Sequence, residues 1–408
     1  MSKILSMVLA GGEGTPLYPL TETRAKASVP FGGSYRLIDF ILSNCVNSNL
    51  MRIYVLTQFK SHSLLRHLRQ GWRFSGVANA FIDPVPAQMR TGKRWYEGTA
   101  DAIYQNLNLV EGDDYDMVCI FSGEHIYYMD INQMIDYHNQ QEAALTVAAL
   151  KVPVQEARNL GVIEVNKNWE MVGFQQKPKR NPKTIPGDPK HVLASMGNYV
   201  FNTETLVKSL NADTKDKKSS HDFGMDIIPN LYAKEKVCVY DFSRNEVPGI
   251  EEKNKGYWKN LNSLDMYWEA NMDLVKEQPM FNLYNYKWPI MTHKPSTPPA
   301  KFVHSEESRT GHAINSIVAS GSIISGSVVE DSVLGHWVRV NSFSRITESV
   351  ILDNVDIGRG SRIRKTIIDK KVRIGPGVII GEDLEEDRKR FHITENGVVV
   401  IPKGSHIE

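Results

Sequence analysis

The chain has 408 residues, of which 41% are hydrophobic and 23% charged, with a formal net charge of +1 at neutral pH. That length admits two domains and a large core, and the balanced charge gives no bulk electrostatic drive toward nucleic acid or an anionic membrane. Three widely spaced cysteines (Cys45, Cys119, Cys238) make neither a disulfide framework nor a metal cluster, and no apolar run reaches the ~20 residues that span a bilayer.

Met1 leads straight into a strand pattern with no signal or transit segment, so the expectation is a cytoplasmic protein with reduced thiols. The first element is the apolar run Ile4 to Ala10, which ends in the loop Gly11-Gly12-Glu13-Gly14-Thr15-Pro16-Leu17. A buried strand delivering a loop nearly free of side chains lets backbone N–H groups approach a phosphate. The glycine spacing fits neither the dinucleotide fingerprint nor the P-loop, and a plain strand-to-helix turn is the competing reading. Arg24 and Lys26 follow and could meet further negative charge.

Met51–Thr57, Met117–Phe121 and Leu145–Leu150 read as further strands, with helical patterns over Ala100–Leu109 and Ile131–Gln141 between them. Strands alternating with helices predict βαβ units and a parallel sheet, with ligands at the strand C-termini. From about 160 to 275 the texture is mixed, with strand-like Gly161–Val165 and Met196–Phe201 closing one side of the cleft.

Four prolines between 284 and 302 (Pro289, Pro295, Pro298, Pro299) mark a linker, which divides the chain into residues 1–283 and 303–408. Beyond it Ile317, Ile323, Val328, Val333, Val338, Val350, Val355, Ile367, Val372 and Val378 recur, mostly five or six apart, with Ser-Gly-Ser turns between. Such a short repeat predicts a parallel β-helix whose coils bury one aliphatic residue against the next. The charged stretch Glu382–Arg390 reads as a helix, carrying Arg388, Lys389 and Arg390.

The run Leu9 to Thr15 resembles the nucleotide loop of sugar-nucleotide pyrophosphorylases. With Arg24-Ala25-Lys26, Pro30-Phe31-Gly32-Gly33, Tyr35–Phe40 and Leu42-Ser43-Asn44-Cys45, the chain resembles the ADP-glucose pyrophosphorylase (glucose-1-phosphate adenylyltransferase) family over nearly its whole length. The resemblance implies an α/β Rossmann-like nucleotidyltransferase domain followed by a left-handed parallel β-helix. It also implies ATP or ADP-glucose and glucose 1-phosphate as ligands, Mg2+ as cofactor, a phosphorylated allosteric effector, and a homotetramer or a heterotetramer with a catalytic relative.

Residue by residue, it implies nucleotide contacts at Leu9, Ala10, Gly11, Gly12, Gly14, Thr15, Gln88, Tyr96, Gly98 and Thr99. Glucose 1-phosphate would meet Gly161, Gln176, Lys177, Ser195 and Tyr199, with Lys177 on the phosphate and Gln176 standing where the family has Glu. Arg24, Arg36, Arg388 and Arg390 match effector positions, and Thr23 stands where some relatives carry an activator-binding Lys. Read alone, Thr99 is a helix N-cap, Lys177 a solvated lysine, and His221 with Asp222 a structural hydrogen-bonding pair.

The family's catalytic machinery is altered. The family has Arg where this chain has Pro16, Asp where it has Glu124, and a second Asp where it has Asn260; Lys26 is retained. Pro16 removes a cation and fixes φ. Glu124 moves its charge by roughly 1.5 Å, one carbon–carbon bond. Asn260 removes a charge from a metal that demands near-ideal octahedral oxygen geometry. Three readings follow: a catalytically impaired, ligand-binding regulatory subunit; an active adenylyltransferase in which Glu124 keeps the metal and Lys3, Arg24 or Lys26 replaces the Arg; and a β-helix acyltransferase using His336.

Overall fold

The computed structural model describes residues 2–74, 80–90, 92, 94–306 and 309–408. The N-terminal domain is organised on a nine-stranded mixed sheet. Its central strand is Ile4–Leu9, paired in parallel with Arg52–Thr57 on one side and Met117–Ser122 on the other. The outer parallel strand Phe81–Pro86 is one the sequence pattern did not reveal; Pro84 and Pro86 break its apolar run.

Alternation along Ile4–Leu9 splits the core. Leu5 and Met7 pack on one face with Ile103, Leu206 and Phe223; Val8 packs on the other with Ile41, Leu64 and Ile135. Helices cover both faces, as a doubly wound sheet requires.

The strand expected at Leu145–Leu150 runs to Pro153 and does not join the parallel half. It pairs antiparallel with the long strand His191–Asn202, which itself runs antiparallel to Met117–Ser122. The helix expected over Ala100–Leu109 is two pieces, Thr99–Tyr104 and Asn108–Glu111. Between them Asn106 donates its side-chain amide to the Ala102 carbonyl and to the Tyr96 hydroxyl.

The segment after Leu274 is a strap whose Phe281, Trp288 and Ile290 are buried while Tyr284 and Tyr286 are exposed. Trp288 donates its indole N–H to Asn44 Oδ1, Met291 N–H donates to Ser43 Oγ, and Thr292 donates to Asp39 Oδ2. Helix Leu37–Asn47 thus holds the strap, and the first β-helix strand begins at Lys301.

The C-terminal domain is a left-handed parallel β-helix with three sheet faces. Its inner ladders are Ile324–Val340–Ile357–Ile374, Val329–Ile346–Ile363–Ile380 and Leu334–Ile351–Ile368–Ile401. The repeat does not stack as one buried set; it divides. Val338, Val355, Val372 and Val378 join the interior, whereas Val350 and Ile367 point out of the coil and pack against the N-terminal domain beside Leu17, Phe31, Leu37 and Tyr267. The spacing of five or six catches residues on both sides of a strand, because adjacent residues alternate between them.

Buried corner serines are satisfied by a ladder of their own. Ser344 donates its hydroxyl to Gly358 O and its N–H to Ser327 Oγ. The charged C-terminal helix is short, Leu384–Arg388, and is capped by the Asp383 carboxylate. Among the described residues no helix is long and apolar enough to cross a membrane.

Candidate active site

A cleft of ≈ 410 Å³ opens at the C-terminal ends of Ile4–Leu9 and Met117–Ser122. Leu9, Gly11 and Gly12 form one wall. A Cβ on Gly11 would meet Gln58 Cβ at 3.2 Å, and Gly14 holds φ +72°, where a Cβ would meet Thr21 Cγ2 at 2.9 Å and Lys26 Cβ at 3.0 Å. The bare loop is therefore a packing necessity as well as an opening toward a ligand.

The opposite wall is Gly161, Phe174, Gln176, Lys177, Ser195, Gly197 and Tyr199. A Cβ on Gly161 would meet Phe174 Cζ at 2.6 Å, so only glycine lets that ring cover the wall. The register slips between Ser195 and Tyr199, and Ser195 Oγ accepts the Gly197 N–H at 3.3 Å. That bulge turns Ser195 and Tyr199 toward one space, next to an active-site edge, where bulges commonly re-aim side chains. Burial raises the Tyr199 phenol well above its ordinary value, so it remains a neutral hydroxyl. Lys177 is exposed with φ +45°.

Glu124 and Asn260 reach the same floor. Strand His125–Tyr127 pairs antiparallel with Trp258–Asn260, setting Asn260 opposite His125 and so beside Glu124. Lys26 arrives from beneath the glycine loop, with Nζ 3.0 Å from Glu124 Oε2; the two side chains are 4% and 20% exposed. His125 packs edge-on against Trp258, and its Nδ1 is buried without a hydrogen-bond partner among the described residues. Burial, reinforced by Lys26, holds its imidazole down to about pKa 3, so it is neutral at physiological pH.

Glu124 and Asn260, the implied Mg2+ ligands, do not fit that ion. Mg2+ needs several oxygens in octahedral array. Here the one carboxylate is engaged by an ammonium and the other group is a neutral amide. Among the described residues no three or more His, Cys, Asp or Glu side chains gather into a metal site.

Of the other expected residues Thr99 lines the cleft, together with Asp222, while Gln88, Pro16, Tyr96 and Gly98 do not. Gln88 is exposed and Pro16 is exposed in the turn Thr15–Leu17, whose Leu17 is buried; neither Gln88 nor Pro16 lines the cleft. Tyr96 packs toward the core, its N–H donating to Gln58 Oε1 and its hydroxyl accepting from Asn106. Gly98 is fixed by crowding, since a Cβ there would sit 2.2 Å from His221 O. The helix N-cap is Gly98, not Thr99; the Thr99 hydroxyl instead donates to Asp222 Oδ2 at 2.8 Å. His221 and Asp222 do not pair with each other. His221 Nδ1 meets Asp213 at 2.6 Å, while Asp222 accepts from Thr99 and from the N–H groups of Gly224 and Met225.

The effector residues divide too. Arg24 is buried against Asp369 of the β-helix, with Nη2 2.8 and 2.9 Å from the two carboxylate oxygens. Arg36 donates to Ser63 O and Oγ. Lys370 stands close by: burial lowers its ammonium, Asp353 counters, and Arg36 and Arg24 lower it further. Arg388 and Arg390 occupy another corner of the prism. Asp369 follows Thr366–Ile368, at the turn toward Arg373–Ile374, whereas Leu384–Arg388 lies between Ile379–Ile380 and His392–Ile393. There Arg388 pairs with Glu385 on its own helix and Arg390 stacks over Phe391.

The sequence reading did not single out His125, Phe174, Trp258 or Asn262 as cleft residues. The first follows Glu124 directly and the last lies two residues past Asn260, so proximity to known motifs was the available signal.

A nucleotidyl-transfer cleft on a doubly wound sheet, backed by a hexapeptide β-helix, defines the class. Residues 5–277 match the nucleotidyl transferase family model, and residues 298–401 match that of GlmU-like C-terminal hexapeptide domains. Among curated proteins the chain is 54% identical to the glucose-1-phosphate adenylyltransferase of Aliivibrio fischeri, 55% to glucose-1-phosphate adenylyltransferase 1 of Vibrio cholerae and 50% to that of Anaeromyxobacter. Each match covers 100% of both chains. The chain belongs to the glucose-1-phosphate adenylyltransferase family.

Proposed function

We propose that the chain binds ATP or ADP-glucose and glucose 1-phosphate in this cleft, and turns them over slowly or not at all. It would then act as a ligand-binding regulatory subunit, in a homotetramer or in a heterotetramer with a catalytic relative. Adenylyl transfer joins a phosphate oxygen of glucose 1-phosphate to the α-phosphorus of ATP and expels pyrophosphate. The protein's part is to neutralise charge developing on that phosphorus. Pro16 and Asn260 bring no charge to it, and Glu124 is tied to Lys26. The sugar-side wall remains complete, with Lys177 free to meet a phosphate and Gln176, Ser195 and Tyr199 lining the space. Ligand binding without turnover is what loss of contacts specific to the transition state produces.

The 3.0 Å pair between Lys26 and Glu124 carries this reading. It also weighs against an active enzyme with a substitute cation. Lys3 is held by Asp113 and Arg24 by Asp369, and Lys26 is shared with Glu124. The acyltransferase reading finds His336 buried in a coil corner, its Nδ1 within 3.2 Å of the Ser320 hydroxyl.

For regulation, Arg24, Arg36 and Lys370 form the anion-binding cluster we favour at the domain junction. Arg24 Nη1 is buried there with no partner among the described residues, a donor left over for an anion. The test of catalysis is reversion. Pro16→Arg, Glu124→Asp and Asn260→Asp together should raise kcat by roughly 10²–10³ or more, with little change in ligand affinity. A triple variant that binds both substrates and stays inert would refute the reading.

A further inference from the structure

One corner of the β-helix carries an aromatic ring beside a basic face. Gly321, Trp337, Asn354 and Lys371 occupy the same turn position in successive coils, all at positive φ (+82°, +59°, +60° and +62°). Glycine and asparagine suit that conformation, whereas a bulky tryptophan is strained by it. Burial does not compensate, since Trp337 is 46% exposed. Its indole lies against Gly321, where a Cβ would come within 3.0–3.3 Å of three ring carbons. The bare corner of one coil thus seats the ring of the next. Phe343 makes a contrast: it too is exposed at positive φ, but the Arg359 guanidinium covers its ring at 4.4 Å. Among the described residues no cation covers the Trp337 ring.

Trp337 lines a hollow of ≈ 410 Å³ together with Pro298, Pro299 and Ile323. The rest of that hollow is a ladder of outward side chains, in which Lys301 pairs with Ile323, Ile323 with Arg339, Arg339 with Asp356 and Asp356 with Arg373. Strand spacing sets Lys301 and Arg339 about 10 Å apart, one on either side of Ile323. Lys301 is in no ion pair among the described residues, and Arg339 donates Nε–H to the Asn341 carboxamide at 3.1 Å rather than to a carboxylate. Arg373 and Asp356 stand 3.8 Å apart. Three cations therefore share one carboxylate.

A free indole face beside uncompensated cations suits a planar base joined to phosphates. Bases of any kind stack on aromatic rings, and Lys and Arg hold phosphate oxygens. A neutral oligosaccharide would use the ring and leave the cations without a role. A long polyanion would gain nothing from the rest of a chain whose net charge is +1. The volume is that of a small-ligand site. We infer that this corner binds a nucleoside polyphosphate, its base stacked on Trp337 and its phosphates between Lys301 and Arg339. The site is formed by the β-helix and the two prolines leading into it, and shares no residue with the cleft.

Calorimetric titration of the full chain with ATP in excess Mg2+ tests this by stoichiometry. Wild type should take up two molecules per chain, one in the cleft and one at this corner. Trp337→Asn keeps the turn, as Asn354 does in the next coil, and should weaken one of the two at least about fivefold while leaving the other unchanged. Arg339→Gln should weaken the same one at least about threefold.

A titration that Trp337→Asn leaves unaltered would overturn the inference. So would inorganic tripolyphosphate that competes at this corner as strongly as ATP, because the ring would then add nothing. Maltopentaose binding that Trp337→Asn abolishes would overturn it too, by giving the ring to a neutral sugar. Should Trp337→Asn not fold, the Arg339→Gln titration decides, and unchanged binding there counts against the inference. Failure of the cleft reading is separable: if the cleft takes no ATP, wild type shows one bound molecule and Trp337→Asn weakens it. One bound molecule that Trp337→Asn leaves in place contradicts only this inference.

Discussion

Arg24 and Lys26 lie two residues apart and end in opposite surroundings. Arg24 points into the domain junction, where it and Asp369 are 4% and 1% exposed. Lys26 points under the glycine loop to Glu124, which is one-fifth exposed and lines the cleft. The first pair joins segments 345 positions apart and holds the β-helix to the N-terminal domain. The second holds the reactive floor in a closed charge balance. One short segment therefore serves cohesion at one end and ligand chemistry at the other, and substitutions at its two ends should have different consequences.

The largest stability effect should come from the junction. Arg24→Ala leaves Asp369 buried without its partner, a loss of about 3–5 kcal/mol on precedent for broken buried pairs. Denaturant unfolding measures it. A loss under about 1 kcal/mol would show that the junction is held by its apolar contacts alone, and the contrast between the two ends would fail.

On the cleft side the corresponding lever is acid. His125 is neutral in the fold, with its pKa lowered from 6.5 to about 3 by burial and by Lys26. The unfolded chain takes up that proton below about pH 6.5 while the folded chain does not. His125 therefore contributes stability that is present above pH 6.5 and lost as pH falls toward 3, amounting to a few kcal/mol by linkage. His125→Phe should flatten that part of the pH–stability curve; an unchanged slope would place the titration elsewhere.

The smallest effect is expected at the far corner of the β-helix. Arg388 makes an exposed i,i+3 pair with Glu385, so Arg388→Ala should change stability by less than about 0.5 kcal/mol. It should also leave sulfate or phosphorylated-metabolite affinity unaltered, whereas Arg36→Ala should weaken it. Equal losses for the two variants would merge the corners that the fold separates.

Much of this was legible before the fold was known, for physical reasons that differ by region. The strand and loop from Ile4 to Leu17 announce themselves because a buried strand needs an unbroken apolar run and a phosphate loop needs glycine. The β-helix shows because each coil repeats its demand for an aliphatic residue. Which face of the coil a given valine takes did not show, since Val350 and Val355 look alike until the N-terminal domain covers one of them. Nor did the strand order of Leu145–Pro153, which depends on a partner some fifty residues later.

Gln88, Arg388 and Arg390 were grouped with cleft or effector residues by resemblance, and the structure places them apart from those clusters. The Lys26–Glu124 and Arg24–Asp369 pairs had no local signal at all. Charge in a sequence says nothing about its partner when that partner is about a hundred or several hundred positions distant.

The most direct measurement is turnover of the purified chain with saturating ATP and glucose 1-phosphate in Mg2+, read as pyrophosphate released, alongside calorimetric binding of the same ligands. Binding of both with kcat far below the ordinary enzyme range of roughly 1–10³ s⁻¹ is the predicted result. A kcat within that range would contradict it: the Lys26–Glu124 floor would then support adenylyl transfer without the three family groups.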